Sequence, residues 1–269
     1  MPSPAPVPAP SPSPVRQRFT GQTALVTGAG SGLGRAVALA LAAEGARVVA
    51  AGRTAATLEE TVALVAAAGG TALAHVADVS RAEDAEAAVR AAVDRFGSLD
   101  VAVNAAGILR GAGTPVGDLS PDDWHALLDT NVTGVLHCLR AEIAQMRGQA
   151  DGGAVVNVSS NLGPHKSLAG LTGYAVSKAA VSALTRGAAL DHIAEGVRIN
   201  AVSPGPVATT MSLRPGESPA ERAVRMKDES PLGRVSTTEE AAAAVLYLAS
   251  ADAASVVGAD LVVDGGASA

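Results

Sequence analysis

Short runs that are almost wholly apolar alternate along this chain with longer runs whose apolar positions recur every three or four residues. The short runs are Thr23–Thr27, Ala46–Ala51, Thr71–Ala77, Leu99–Val103, Ala154–Ser159, Val197–Val202 and Asp260–Val263. Val, Ala and Leu dominate them with little polar alternation, which predicts strands buried on both faces. Helical spacing runs through Arg35–Glu44, Ala55–Ala68, Ala82–Phe96, Pro121–Met146, Tyr174–Ala194 and Glu239–Ser250. Gly45 is placed to stop the first of these helices, and Ser120 to cap the fourth. Strand and helix in turn predict βαβ units: an α/β fold with a three-layer, doubly wound parallel sheet, helices on both faces, in one domain over residues 19–269. Ser203–Thr237 is too long for a simple connection. It reads as a lid or binding loop, with a short helix near Pro219–Lys227.

Residues 1–18 break this pattern. Proline takes every second position from Pro2 to Pro14, so helix and sheet pairing are blocked and an extended, solvated tail is expected. The tail lacks a basic start and an apolar centre, so it does not read as a secretory signal. A proline-rich ligand segment is a minor alternative.

Composition narrows the function. Hydrophobic residues are 48% of 269 but aromatics only 2%, so the core must be built from Ala, Val and Leu, and an aromatic platform for nucleic acid is excluded. The net charge is -6, with no basic stripe, so neither nucleic acid nor an anionic membrane is an expected partner. No apolar run is long enough to span a bilayer, and a cytoplasmic location is expected. Cys138 is the only cysteine and lies in an apolar helical run, so it reads as core. The five histidines show no ligand spacing, and no metal is expected. His165 and Lys166 read as a surface loop.

Two stretches carry candidate chemistry. Tyr174 and Lys178 are four apart in a helical run, so a phenol and an ammonium project into the same space. An ammonium about 4 Å from the phenol supplies on the order of 4 kcal/mol at an effective dielectric near 20, enough to bring a tyrosine toward neutral pH. The second stretch, Gly28-Ala29-Gly30-Ser31-Gly32-Leu33-Gly34, lies between a predicted strand and a predicted helix. Glycines there let the backbone approach a pyrophosphate, which the helix N-terminus attracts.

In these motifs the chain resembles the classical short-chain dehydrogenase/reductase family over about residues 19–269. Thr27-Gly28-x-x-x-Gly32-x-Gly34 matches the family's glycine turn, Asn104-Ala105-Ala106-Gly107 its N-N-A-G segment with Ala105 in place of the second asparagine, and Val263-Asp264-Gly265-Gly266 its C-terminal signature. The resemblance implies a Rossmann-type fold and hydride transfer between a nicotinamide cofactor and a small-molecule carbonyl/alcohol pair. It implies a catalytic set of Asn131, Ser160, Tyr174 and Lys178. Tyr174 would exchange the proton, Lys178 would lower its pKa and hold the nicotinamide ribose, Ser160 would bind the substrate oxygen, and Asn131 would hold a water. Asn157-Val158-Ser159-Ser160 matches the family's N-[IV]-S-S, whose second serine is catalytic; the usual spacing to the tyrosine falls on Asn161, which a one-residue insertion in the 162–172 loop reconciles, and Ser159 is the alternative. A plainer alternative for Asn131 is a buried polar residue that kinks its helix. Cofactor-binding positions implied by the match are Gly28, Ser31, Gly32, Leu33, Gly34, Arg53, Asp78, Val79, Asn104, Ala105, Gly107, Tyr174, Lys178, Pro204, Gly205, Val207 and Thr209. The family commonly assembles through the two long helices, which implies a homotetramer.

The choice of dinucleotide is read from one position. An NAD site in this fold carries a carboxylate about 20 residues past the glycine turn. Counting from Gly32 gives Gly52, followed by Arg53, whose guanidinium suits a 2′-phosphate. NADP is therefore expected, with NAD as the alternative because Ser31 stands where many NADP-preferring relatives have a second basic residue. A non-catalytic, nucleotide-sensing protein of the same fold also remains open, since fold does not fix function.

Overall fold

The computed structural model describes residues 17–269; the proline-rich run of the first 16 residues lies outside them. Seven strands form one sheet: β1 (Thr23–Thr27), β2 (Arg47–Gly52), β3 (Thr71–Val76), β4 (Val101–Asn104), β5 (Gly153–Val158), β6 (Val197–Pro204) and β7 (Asp260–Val263). Every pairing is parallel, in the order β3-β2-β1-β4-β5-β6-β7. The chain builds outward from β1 to β3, then crosses back to β4 beside β1. That reversal opens a crevice beyond the carboxyl ends of β1 and β4, where such sheets bind ligands.

Eight α-helices accompany the strands: α1 (Gly32–Ala43), α2 (Ala55–Ala67), α3 (Ala82–Phe96), α4 (Pro121–Leu128), α5 (Gly134–Met146), α6 (Thr172–His192), α7 (Pro219–Glu229) and α8 (Thr238–Ala249). Two apolar cores lie on the two faces of the sheet. One packs Val37, Leu41, Val245 and Leu248 against Val26, Val48 and Val103; the other packs Val89, Leu139, Ile143 and Val181 against Leu25, Val155 and Ile199. The three-layer expectation therefore holds.

One helix differs from its expectation. The run Pro121–Met146 is not continuous: Asp129–Thr133 forms a π-helical turn between α4 and α5. The physical cause is Asn131, whose side chain is fully buried. Its Oδ1 accepts from the Ile108 N–H at 2.8 Å, and its Nδ2 donates to the Ile108 carbonyl at 3.0 Å and to Ser177 Oγ at 3.0 Å. One extra residue in the turn aims the amide at these partners.

The expected tail boundary also meets ordered chain. Arg18 makes a two-pronged pair with Glu44, through Nε at 2.6 Å and Nη2 at 2.7 Å, and Gln17 donates to the Ala43 carbonyl. Ser203–Thr237 carries α7, begun by a capping box in which Ser218 and Glu221 exchange hydrogen bonds.

Candidate active site

The glycine turn sits at the carboxyl end of β1, where close approach requires glycine. Gly28 has a φ of +68°, and a Cβ there would stand 2.8 Å from the Ala106 nitrogen and 2.9 Å from the Ala105 oxygen. A Cβ on Gly34 would collide with the Gly28 carbonyl oxygen, so the first turn of α1 lies directly on the end of β1. Ser31 is the N-cap of α1 but makes no side-chain cap, which leaves the first N–H groups of the helix free. Leu33 packs on the core side of that turn. Opposite, Thr209 lies 3.3 Å from where a Cβ on Gly32 would be. The turn and the Val207–Thr209 loop thus face each other across a narrow gap. A pyrophosphate fits this cradle: its floor is backbone, its end a free helix N-terminus, and added side chains would fill it.

The structure spreads the remaining cofactor candidates along the same crevice. Arg53 follows β2 with an exposed side chain that has no ion pair among the described residues. Asp78 follows β3; its Oδ1 accepts from the N–H of Ser80 at 3.0 Å and its hydroxyl at 2.8 Å. Burial raises the Asp78 pKa, but the Ser80 bonds and the nearby Arg53 and Arg81 charges outweigh it and hold the carboxyl below its usual range. Val79 buries its side chain beneath Gly134, and its carbonyl lies 3.2 Å from His137 Nδ1. Ala105 and Gly107 line the end of β4. A Cβ on Gly107 would stand 3.4 Å from Asn131 Oδ1 and 3.5 Å from Lys178 Nζ. Pro204 ends β6, Gly205 packs on Asp264, and Val207 bridges to Ser236. Asn104 is the exception: it is fully turned into the core, donating to Glu142 and Asn157.

The proposed reacting groups converge from three elements. Ser160 follows β5, and Tyr174 and Lys178 share one face of α6. The Ser160 hydroxyl accepts from the Leu162 N–H at 3.1 Å and lies beside the Tyr174 phenol, whose pKa it lowers. Ser159 is used elsewhere: its hydroxyl donates to the Lys178 carbonyl at 2.9 Å and lies 2.9 Å from Ser182 Oγ. Asn161 is tied to Asp264. Of the three positions weighed for the serine, only 160 meets the tyrosine. His165 and Lys166 are held on the C-terminal segment, at Asp260 and the Ala267 carbonyl.

Lys178 is buried, and its ammonium donates to the Val158 carbonyl at 2.8 Å and lies 5.8 Å from the Tyr174 ring centre. Burial pulls its pKa down to about 8. Burial pushes the Tyr174 phenol up to about 12, with the Ser160 bond acting the other way. In this state the tyrosine is a protonated acid and the lysine a nearby cation. Asn131 has no side-chain hydrogen left for a water, since its amide is spent on Ile108 and Ser177.

Sequence reasoning missed two arginines that shape the site. Arg35 Nη2 donates to the Gly30 and Thr57 carbonyls and Nε to Thr61, which fastens the glycine turn to α2. Arg222 of α7 is buried and donates through Nη1 to the Thr209 carbonyl at 2.7 Å and Ser212 Oγ at 2.8 Å. No spacing rule marks a charged residue that turns inward.

The chain is similar to known proteins over most of its length. Residues 28–268 match a family model described as Enoyl-(Acyl carrier protein) reductase. The chain is 40% identical to an A-factor type gamma-butyrolactone 1′-reductase of Streptomyces virginiae, covering 92% of this chain and 95% of the relative. It is 37% identical to the cyclohexanol dehydrogenase of Acinetobacter sp. (strain SE19), with the same coverage of each. A crystal structure of a short-chain type dehydrogenase/reductase from Mycobacterium marinum superposes with a TM-score of 0.85 at 34% identity, over 93% of this chain and 96% of that one. The chain belongs to the short-chain dehydrogenase/reductase family and is an oxidoreductase of alcohols and carbonyls.

Proposed function

We propose that this short-chain dehydrogenase/reductase moves hydride between NADP(H) and a ketone or secondary alcohol, with Ser160, Tyr174 and Lys178 as its catalytic residues. The observation that carries the reading is that Tyr174 lies between Ser160 and Lys178, with the Lys178 ammonium 3.5 Å from where a Cβ on Gly107 would be, at the end of β4. When bound, the nicotinamide gives or takes the hydride. The chain's own residues manage the proton. Ser160 binds the substrate oxygen and stabilises charge developing there. Tyr174 donates its phenolic proton to that oxygen in reduction and recovers it in oxidation. Lys178 holds a positive charge beside the phenol, which opposes the effect of burial and favours the phenolate formed during reduction. Asn131 fixes the Ile108 backbone and Ser177 around Lys178, and any part it has in a water path runs through its main chain.

Arg53 at the end of β2 supports NADP over NAD. It is exposed, has no ion pair among the described residues, and follows Gly52, which stands where a carboxylate would repel a 2′-phosphate. The unit that does this chemistry is taken to begin near residue 19, with the proline-rich segment outside it, and to work as a homotetramer.

The test is a spectrophotometric screen of cyclic, steroidal and open-chain ketones and alcohols with each dinucleotide, for wild type and Tyr174→Phe. The phenylalanine variant keeps the ring and loses the proton, so turnover falls by about 10²-fold or more while dinucleotide affinity survives. A variant with near wild-type kcat would sink the assignment. Tight dinucleotide binding with no turnover of any substrate would favour a sensing role instead.

A further inference from the structure

Beneath α5 and α6 a line of polar side chains crosses an otherwise apolar core. Glu142 of α5 is fully buried, and its Oε2 accepts from Asn104 Nδ2 at 3.0 Å. The same Nδ2 donates to Asn157 Oδ1 on β5 at 3.0 Å, and Asn157 Nδ2 donates to Thr185 Oγ1 on α6 at 2.9 Å. Thr185 passes its own proton to the Val181 carbonyl. Two atoms in this line are buried without a partner: Glu142 Oε1 and Asn104 Oδ1. With Glu142 ionised both are acceptors, and neither satisfies the other. A single proton resolves both at once. A carboxylic acid and a primary amide pair through two hydrogen bonds, N–H to one oxygen and O–H to the other, and the N–H half is already present.

We propose that Glu142 is held as the neutral acid, donating from Oε1 to Asn104 Oδ1, and that this pair anchors a brace positioning the catalytic elements. The brace runs from α5 through the end of β4, the end of β5 and the middle of α6. β4 leads into Gly107, β5 into Ser160, and α6 carries Tyr174 and Lys178. Glu142 and Asn104 touch no substrate; they are positioning residues, and this part rests on the catalytic reading above.

The surroundings suit a neutral acid. Burial pushes the Glu142 carboxyl up to about 7, the Asn104 bond pulling the other way. Cys138, one turn earlier on α5, is the titratable group coupled to it. The other ionisable side chains of α5 turn away from it: His137 to the Val79 carbonyl, and Arg140 to an exposed position. From β4, β5 and α6 the line is met by Asn104, Asn157 and Thr185, none titratable. Lys178 of α6 spends its ammonium on Val158, and Arg186 is exposed. α3 offers Ala85, Ala88, Val89 and Ala92. No cation stands by to neutralise a carboxylate there. A carboxyl whose folded pKa lies above its unfolded value of about 4.3 gives stability that is complete below that value. That stability is lost as pH rises toward 7.

Glu142→Gln keeps the shape and supplies an N–H toward Asn104 Oδ1, but it cannot ionise. Melting temperatures of both proteins from pH 5 to pH 8.5 test the pairing. The glutamine variant should gain several degrees on wild type between pH 5 and pH 8, with the gap level above that. Infrared spectra should show a protonated-carboxyl band in wild type at pH 5.5 that Glu142→Gln lacks. Its kcat at pH 7 should stay within about twofold, whereas Glu142→Leu, which leaves the amide half-paired, should lose about tenfold or more in kcat with little change in KM. A pH-independent gap, or no such band, overturns the neutral pair. A folded Glu142→Leu protein with full kcat overturns the positioning role. The thermal and infrared measurements need no substrate, so they stand or fall separately from the Tyr174 assignment.

Discussion

Arg53 and Asp78 stand at the ends of neighbouring strands, and the pair shows how far single residues could be read. Asp78 is half-spent on Ser80, which leaves one carboxylate oxygen for a ligand. Arg53 is not spent at all. A guanidinium held in no ion pair costs little to leave in water, so its exposure alone is uninformative; its position after Gly52 is what matters. One charge-assisted contact to a phosphate is worth roughly 1.5–3 kcal/mol. Arg53→Ala is therefore expected to raise KM for NADPH by about tenfold or more and to leave NADH nearly unchanged. Initial rates with each dinucleotide decide it: equal weakening of both means that Arg53 serves another purpose. The tyrosine–lysine pair and the glycine turn were legible because each depends on local spacing. Glu142 and Arg222 were not. Their partners lie on β4 and the Thr209 loop, and no periodicity records such contacts.

At the level of elements, the strands were legible almost to the residue because a sheet covered on both faces needs continuous apolar runs. The break between α4 and α5 was legible only as the alternative reading of Asn131, a buried polar residue that kinks its helix. A π-turn adds one residue, and its apolar stripe slips by one position. The single local hint was Asn131, a polar residue in that stripe. The segment from Ser203 to Thr237 was legible as a lid or binding loop with a short helix near Pro219–Lys227, where α7 lies. Its construction depends on charge pairs: Arg225 binds Glu217 through Nε at 2.6 Å and Glu229 through Nη1 at 2.8 Å, and holds Glu217 down to about pKa 2. Those pairs fix α7 to its own loop, while Arg222 fastens α7 to the Thr209 carbonyl. Arg222→Met should leave the helix in place and free the loop that faces the glycine turn. The expected result is a rise of about tenfold in KM for the dinucleotide, from the loss of one charge-assisted bond, with a small change in melting temperature. A large fall in melting temperature with unchanged KM would show that Arg222 serves the fold and not the loop.

For the whole molecule, the described residues leave one surface unfinished. No helix among them is long and apolar enough to cross a membrane, yet α5 and α6 carry large apolar side chains into solvent. Leu136 and Val176 are about two-fifths exposed, and Leu190 is 77% exposed. Between these helices runs a groove of about 530 Å³ lined by Leu136, Leu139, Ile143 and Leu184, with Arg140, Arg147 and Asp191 at its edges. Isolated exposed leucines are ordinary, but an apolar groove rimmed by charges of both signs is the form of an interface. The rim suits a self-complementary contact, in which the arginines of one copy meet the aspartate of another about a two-fold axis. In the proposed homotetramer two such axes would close the assembly, with the apolar run along both helices as the contact. Light scattering at micromolar concentration should therefore report four chains. Leu136→Asp combined with Leu190→Asp, both at exposed positions that the monomer's core does not need, should reduce the mass to two chains or one while circular dichroism stays unchanged. A single-chain mass for wild type would refute the assembly. A tetramer that survives the double substitution would move the interface to another face.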